Sequence, residues 1–252
     1  MNLVILYPHY FFHNVTFIGD TGGAEKMITG SRQDYFQRTT EIDSITIRSD
    51  VTSLTEDEKK CDYLYCAGLN LVTDSKNNKA DLMIQGSSSS DFSTDLVTTS
   101  SGAILTSDLM GARKEDYVLE HSGGQIRNHW RAVVGTNSGV DVRIGCRLLF
   151  LGKMFYFGVE PLELLEVRLR KMGRRQVREV AIRFHGVSES KYQFFYNKIE
   201  KHRAYNPIVL HTRSDHRVLF NEKVFPCFIS QVRKDRPTQN IVNVDLTLRE
   251  TI

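Results

Sequence analysis

Five arginines lie within eleven residues in the last third of the chain: Arg168, Arg170, Arg174, Arg175 and Arg178. A guanidinium group stays charged near neutral pH, and its planar donors match carboxylate and phosphate groups. The stripe therefore fits the acidic surface of a protein partner, or a solvated strand pair whose charges prevent wrong edge pairing. Nucleic acid fits less well, because aromatic residues for base stacking are missing here. We predict these arginines as candidate interface residues.

The chain has one tryptophan, Trp130, in the sequence RNHWRAVVG. A tryptophan inside a strand usually belongs to the core. The functional alternative is an aromatic platform for a sugar, with Arg131 or Arg127 as the polar partner. Trp130 and Arg131 are therefore the candidate glycan contacts.

Catalytic and metal-binding patterns are missing from the sequence. It contains no H-E-x-x-H, no G-x-S-x-G, no paired C-x-x-C and no acidic calcium loop. The segment GDTGGAEK at 19–26 has the wrong spacing for a phosphate loop, and Met27 stands where a hydroxyl residue is needed. A pair of carboxylates with glycosidase chemistry stays an alternative, because such residues can come from distant strands. We predict no catalytic, cofactor-binding or metal-binding residues, and the four cysteines are predicted to be buried free thiols in a reducing compartment.

The net charge of +3 hides two unlike halves. Residues 1–160 contain 15 Lys and Arg against 20 Asp and Glu, a net charge of −5. Residues 161–252 contain 18 against 10, a net charge of +8. Complementary halves favour contacts between copies of the chain.

Composition and hydropathy indicate a globular protein of 252 residues, with 40% apolar and 25% charged residues. No apolar run reaches the roughly 18 residues that a membrane-spanning helix needs, so we expect no membrane span. The opening run LVILYPHYFF is short and contains Pro8, which indicates a buried strand rather than a signal peptide.

The elements that must position these residues are mostly strands. In the first 160 residues, short segments such as 42–48 alternate between two faces, and no amphipathic helix separates them. This pattern predicts an antiparallel β-sandwich or jelly roll over residues 1–160. The Ser- and Thr-rich stretch 85–107 is predicted to be a long surface loop.

A smaller α+β domain with the order β-β-α-β-β-β is predicted over residues 161–252. Strands at 163–170 and 176–184 read as a hairpin around 172–174. One helix is predicted over 188–202, with Ser188 as its cap. Its apolar face comprises Tyr192, Phe195, Tyr196 and Ile199. A last strand alternates cleanly over 241–248, which indicates a sheet with one wet face.

Several segments together resemble the tail-tip and baseplate (minor tail) structural proteins of long-tailed bacteriophages. They are CDYLYCAGLNLV at 61–72, IQGSSSSDFSTD at 84–95, the strand with Trp130 and Arg131, RIGCRLLFLGKMFYFGVEP at 143–161, NPIVLHTRSDHRVLFNEKVFPCFI at 206–229, and VNVDLTLRE at 242–250. The resemblance implies a galactose-binding-like (discoidin-type) sandwich over 1–160, followed by a smaller α+β domain of the kind that builds tail rings. The first 40 residues depart from this pattern, and we expect them to form an arm that wraps a neighbouring subunit.

The resemblance implies a ring-forming virion protein without enzymatic activity, assembled in the host cytoplasm and located in the tail. Its expected partners are other copies of itself and neighbouring tail proteins, with nucleic acid reached only through the basic hairpin. The alternative is a carbohydrate-binding module that contacts host glycans through 85–107 and Trp130. A polysaccharide-cleaving enzyme is the third class, which no recognisable site supports.

Overall fold

The computed structural model describes residues 3–7, 15–18, 36–37, 44–72, 79–100, 104–105, 115–136, 143–146, 148–159, 161–172, 175–202, 208–212 and 224–250. These residues form seventeen strands and one α-helix, and every strand pair with a described register is antiparallel. The predicted fold class, mainly β with one helix in the C-terminal part, is confirmed for the described residues.

The chain divides into two compact units. The N-terminal unit comprises Pro8–Lys153, and the C-terminal unit comprises Met1–Tyr7 together with Met154–Ile252. The predicted domain bounds, 1–160 and 161–252, describe parts of the chain that would fold independently of each other. These bounds stay a prediction.

The N-terminal unit contains two antiparallel sheets. The strands of the first are β2 (Val15–Ile18), β4 (Ser44–Asp50), β6 (Lys79–Ser87), β7 (Val97–Ser100), β8 (Ile104–Leu105) and β10 (His129–Thr136). Their order is β2-β4-β10-β6-β7, and β8 also pairs with β6. The second contains β3 (Phe36–Gln37), β5 (Tyr63–Val72), β9 (Glu115–Glu120), β11 (Arg143–Cys146) and the part of β12 (Leu148–Phe155) up to Lys153. Fully buried side chains such as Ile47, Tyr65 and Trp130 form the core of the N-terminal unit.

The C-terminal unit contains a sheet formed by β1 (Leu3–Tyr7), β13 (Pro161–Met172), β14 (Arg175–Ser188), β15 (Ile208–Thr212), β16 (Val224–Thr238) and β17 (Ile241–Glu250). The strand order in this sheet is β13-β14-β17-β16-β15-β1. Along β17 every second side chain is buried, at Val242, Val244, Leu246 and Leu248. The predicted strand with one wet face is confirmed.

The helix α1 (Glu189–Lys198) covers the apolar face of this sheet, which we call the core face. Ser188 caps it as predicted: its hydroxyl accepts a hydrogen bond from the Lys191 amide at 3.4 Å. Tyr192, Phe195 and Ile199 are buried, but Tyr196 is 44% exposed, so its prediction as a buried residue was wrong. The Tyr196 ring is tilted by 32° relative to the buried Tyr192 ring, with 6.4 Å between the centroids.

Part of the predicted N-terminal arm belongs to the chain's own fold. β1 pairs with β15, and its Ile5 and Tyr7 are buried in the core of the C-terminal unit. Residues 3–7 therefore do not reach a neighbouring subunit, because the side chains of Ile5 and Tyr7 belong to the core of their own chain. Of the other arm residues, only 15–18 and 36–37 lie within the described part of the chain.

Candidate functional site

Four strands of the C-terminal unit, β13, β14, β17 and β16, lie side by side. Residues that lie opposite one another on these strands form rows that run across the sheet. One row is charged at all four positions: Glu163, Arg183, Asp245 and Arg233. The next row is apolar: Leu164, Ile182, Leu246 and Val232. A second apolar row follows further along: Val167, Val180, Leu248 and Ile229. We call the first the charged row; it lies on the face opposite α1, the outer face.

The centre of the charged row is a bidentate ion pair. Arg183 donates from Nε to Asp245 Oδ1 at 2.6 Å and from Nη2 to Oδ2 at 2.7 Å. The hydrogen bonds from Arg183 lower the pKa of Asp245, and the charges of Arg183, His185 and Arg233 act in the same direction. The planar fork fixes both side chains across two strands. The carboxylate therefore stays ionised and holds positive groups around it.

Two open depressions on the outer face share Arg183, Arg233 and Asp245. Their volumes are about 310 and 470 Å³. The first also contains exposed Arg168, with Glu179 beside it. Guanidinium donors interspersed with carboxylates favour a partner surface of mixed charge over a simple anion.

Two edges of this four-stranded part have no strand partner among the described residues. β13 is the last strand on one side. On the other side, β15 pairs only with Val224–Cys227, so β16 is open from Phe228 onward. An open edge presents unpaired backbone N–H and C=O groups, which can pair with another chain.

The five predicted interface arginines do not form one stripe. Arg168 lies opposite Glu179 and lines the outer face. Arg178 lies opposite Leu169, on the other face, and donates to Glu250 at 3.2 Å. Arg170 and Arg175 belong to β13 and β14 without described side chains, and Arg174 lies outside the described residues. Successive residues of a strand point to opposite faces, which separates Arg168 from Arg178.

Trp130 lies in the core of the N-terminal unit, the first of its two predicted roles. Its side chain is fully buried, and its Nε1 donates to the Lys59 carbonyl at 2.7 Å. The ring fills the space beside Gly86, where an added Cβ would come within 2.5 Å of it. In this conformation its faces contact protein and offer no platform to a sugar.

Arg131, the other candidate glycan contact, is bound within its own unit. Its guanidinium lies over the Phe92 ring at 4.1 Å from the centroid, and its Nε donates to Gln85 at 2.7 Å. Phe92 is buried, although its φ of 61° places it in the left-handed region. The cation over the ring helps to hold this unusual backbone conformation.

Two further arginines, Arg48 and the predicted sugar partner Arg127, hold the same serine-rich segment. Arg48 donates to the Ser90 carbonyl at 2.7 Å, and Arg127 donates to the Asp95 carbonyl at 2.8 Å. We call Ser88–Asp95 the clamped loop. Within it, hydrogen bonds from Ser89 and Ser93 lower the pKa of Asp91 to about 2. Only the loop composition was visible in the sequence, since Arg48 and Arg127 come from distant segments.

His121 has partners at both ring nitrogens. Nδ1 lies 2.7 Å from the Thr99 hydroxyl, and Nε2 lies 3.0 Å from Gln125 Oε1. Burial lowers the pKa of His121, which favours the neutral ring. With Nε2 protonated, the ring donates to Gln125 and accepts from Thr99, so the group locks β7 to the segment after β9.

The buried thiols are confirmed for Cys61, Cys66 and Cys227. Burial raises the pKa of Cys61 and of Cys227. Within the described residues, no group of three or more His, Cys, Asp and Glu side chains could hold a metal ion. No described helix is long and apolar enough to cross a membrane.

No protein-family model, no curated protein and no solved structure matches this chain.

Proposed function

We propose that this chain is a structural subunit of a virion, a ring-forming component of a bacteriophage tail tip or baseplate. It acts through contacts between copies and with neighbouring tail proteins, and not through catalysis. The observation that carries the proposal is the four-stranded sheet of the C-terminal unit, with a charged outer face and two edges that have no strand partner among the described residues.

The strand directions of this sheet favour assembly of copies that all face the same way. Each of the three pairs β13-β14, β14-β17 and β17-β16 is antiparallel, so β13 and β16 run in opposite directions. When a second copy is placed beside the first in the same orientation, its β13 meets β16 as an antiparallel strand. A head-to-tail interface of this kind closes into a ring when the rotation between copies allows it.

The resemblance to tail-tip and baseplate proteins supports the placement in a virion, with assembly in the host cytoplasm. A discoidin-type jelly roll over 1–160 belongs to the same proposal. The opposite net charges of residues 1–160 and 161–252 add a long-range attraction between copies. Nucleic acid receives less support, because Arg168 and Arg178 point to opposite faces of the sheet.

The carbohydrate-binding alternative has lost its main support. Trp130 is fully buried, and Arg131 is engaged by Phe92 and Gln85. The clamped loop exposes hydroxyl groups, but it offers no described aromatic platform of the kind that glycan modules use, since Phe92 is itself buried.

Light scattering on the purified protein tests the proposal. We expect a molar mass that is a multiple of 28.9 kDa and that persists on dilution to low micromolar concentration. Mass spectrometry of purified virions from a producing strain should detect the chain in mature particles. A monomer at every concentration, together with absence from particles, would contradict the proposal. A glycan array of the wild-type protein tests the alternative, which binding to a defined glycan would restore.

A further inference from the structure

We infer that neighbouring copies join edge to edge, with Glu163–Arg168 of β13 in one copy paired antiparallel to Phe228–Arg233 of β16 in the next. This inference rests on the proposed function, because it names the interface through which the copies assemble. Both segments lie in the same rows of the sheet, at its two open edges.

The side-chain types match when the rows continue level from one copy into the next. Glu163 of the second copy comes opposite Arg233 of the first, so the charged row continues with alternating sign. In the apolar rows, Leu164 comes opposite Val232 and Val167 opposite Ile229. Opposite residues of an antiparallel pair lie on the same face, so the core face stays apolar across the junction.

Both edges also contain the same number of residues over this span. The two inner strands cover this span with five residues each, Glu179–Arg183 in β14 and Asp245–Arg249 in β17. Each edge strand has one residue more, since β13 has a bulge at Leu165 and β16 has one at Ser230. Six residues therefore face six residues, and the two bulges flank the same row, Ala181–Thr247.

The strand pairing between two copies ends at a defined residue. β15 already occupies the edge of β16 from Cys227 backward, so pairing with a second copy stops at Phe228. On β13 the next residue is Leu169, which is 69% exposed and lies beyond this end. The hairpin tip after Arg168 must therefore bend away from the neighbouring sheet.

The rival arrangement joins two β13 strands around a two-fold axis. A two-fold pairing centred between Leu165 and Glu166 also matches the faces, since it brings Glu163 opposite Arg168 and Leu164 opposite Val167. Such a contact stops at a dimer, whereas the β13–β16 contact continues from copy to copy and gives a ring.

Disulfide cross-linking with the double variant Glu163→Cys/Arg233→Cys tests the inference. Within one chain these positions are separated by three strand spacings, about 14 Å. A disulfide needs Cα atoms within about 7 Å, so any bond between the two positions joins different copies. Oxidation should give a ladder of dimers, trimers and larger species on a non-reducing gel.

Matched controls use the two single variants. Each alone should give only the background of the wild-type protein, whose Cys61, Cys66 and Cys227 are buried. An equal mixture of Glu163→Cys and Arg233→Cys should give dimers and no larger species, because each chain then has one engineered thiol. Light scattering on each variant shows that it still assembles before oxidation.

The outcomes separate the inference from the proposed function. Assembly of the double variant without cross-links would overturn this register and leave the proposed function standing. A dimer band from Glu166→Cys alone, a residue next to the two-fold axis of the rival arrangement, would show that β13 edges meet each other, which also overturns the inference. A wild-type chain that never assembles would contradict the proposed function itself.

Discussion

The two units of this chain use their arginines and aromatic side chains in opposite ways. In the N-terminal unit, Arg48, Arg127 and Arg131 bind the clamped loop of their own chain, and Trp130 lies in the core. In the C-terminal unit, Arg168 and Arg233 are exposed on a charged face, between two edges to which no described strand is added. The difference shows that a group's chemistry indicates a partner only when the fold leaves that group accessible.

The largest expected effect tests whether Trp130 is a core residue. Trp130→Ala should lower the free energy of unfolding by about 3–5 kcal/mol, since it leaves a cavity and removes the donor to the Lys59 carbonyl. Urea denaturation followed by circular dichroism measures the change. Tyr196→Ala, at a 44% exposed aromatic residue, is the control and should cost less than about 1 kcal/mol. Equal losses in the two variants would contradict the contrast between buried and exposed rings.

The ion pair in the charged row comes next. Asp245→Asn should lower the free energy of unfolding by about 1–2 kcal/mol, because the bidentate pair is only partly shielded from solvent. The double variant Arg183→Gln/Asp245→Asn should cost less than the sum of the single variants. Strictly additive losses would show that the two side chains are not coupled.

The same pair predicts a pH dependence. The folded state lowers the pKa of Asp245, so its contribution is present above the ordinary carboxyl pKa of about 3.9. It is lost as pH falls through the lower pKa of the folded state. The difference in unfolding free energy between wild type and Asp245→Asn should therefore shrink between about pH 5 and pH 2. A difference that stays constant over this range would contradict the ionised pair.

The smallest effect concerns the clamped loop. Arg131→Gln removes the cation over the Phe92 ring and should cost about 0.5–1 kcal/mol. Amide hydrogen exchange within Ser88–Asp95 should become faster. Arg233→Gln, measured on dilute protein, is the matched arginine change and should leave exchange in this loop unchanged. Equal acceleration by both variants would break the comparison between the units.

The parts of the fold that depend on local patterns could be predicted from the sequence. The alternation of 241–248 gave β17, and the spacing of Tyr192, Phe195 and Ile199 gave α1. The hairpin β13–β14 followed from its short turn. Tyr196 shows the limit, because helical spacing alone does not show where the neighbouring sheet ends.

The candidate site depends on contacts between distant segments. The charged row joins Glu163, Arg183, Asp245 and Arg233, whose alignment is set by long-range register and by two bulges. Composition showed that the last third of the chain is basic, but not which arginines share a face. Trp130 is buried because it lies opposite Gly86, and this pairing of β10 with β6 has no local signal.

The most direct test of the central claim is the molar mass in solution of wild type and Arg233→Glu, measured by light scattering. If Glu163 of one copy lies opposite Arg233 of the next, wild type forms multiples of 28.9 kDa. Arg233→Glu then shifts towards the monomer, because Glu163 of the next copy meets a like charge. Lys191→Glu, an exposed change of the same sign on α1, is the control and should assemble like wild type. Equal masses for wild type and Arg233→Glu, or a wild-type mass of 28.9 kDa at every concentration, would contradict assembly through this sheet.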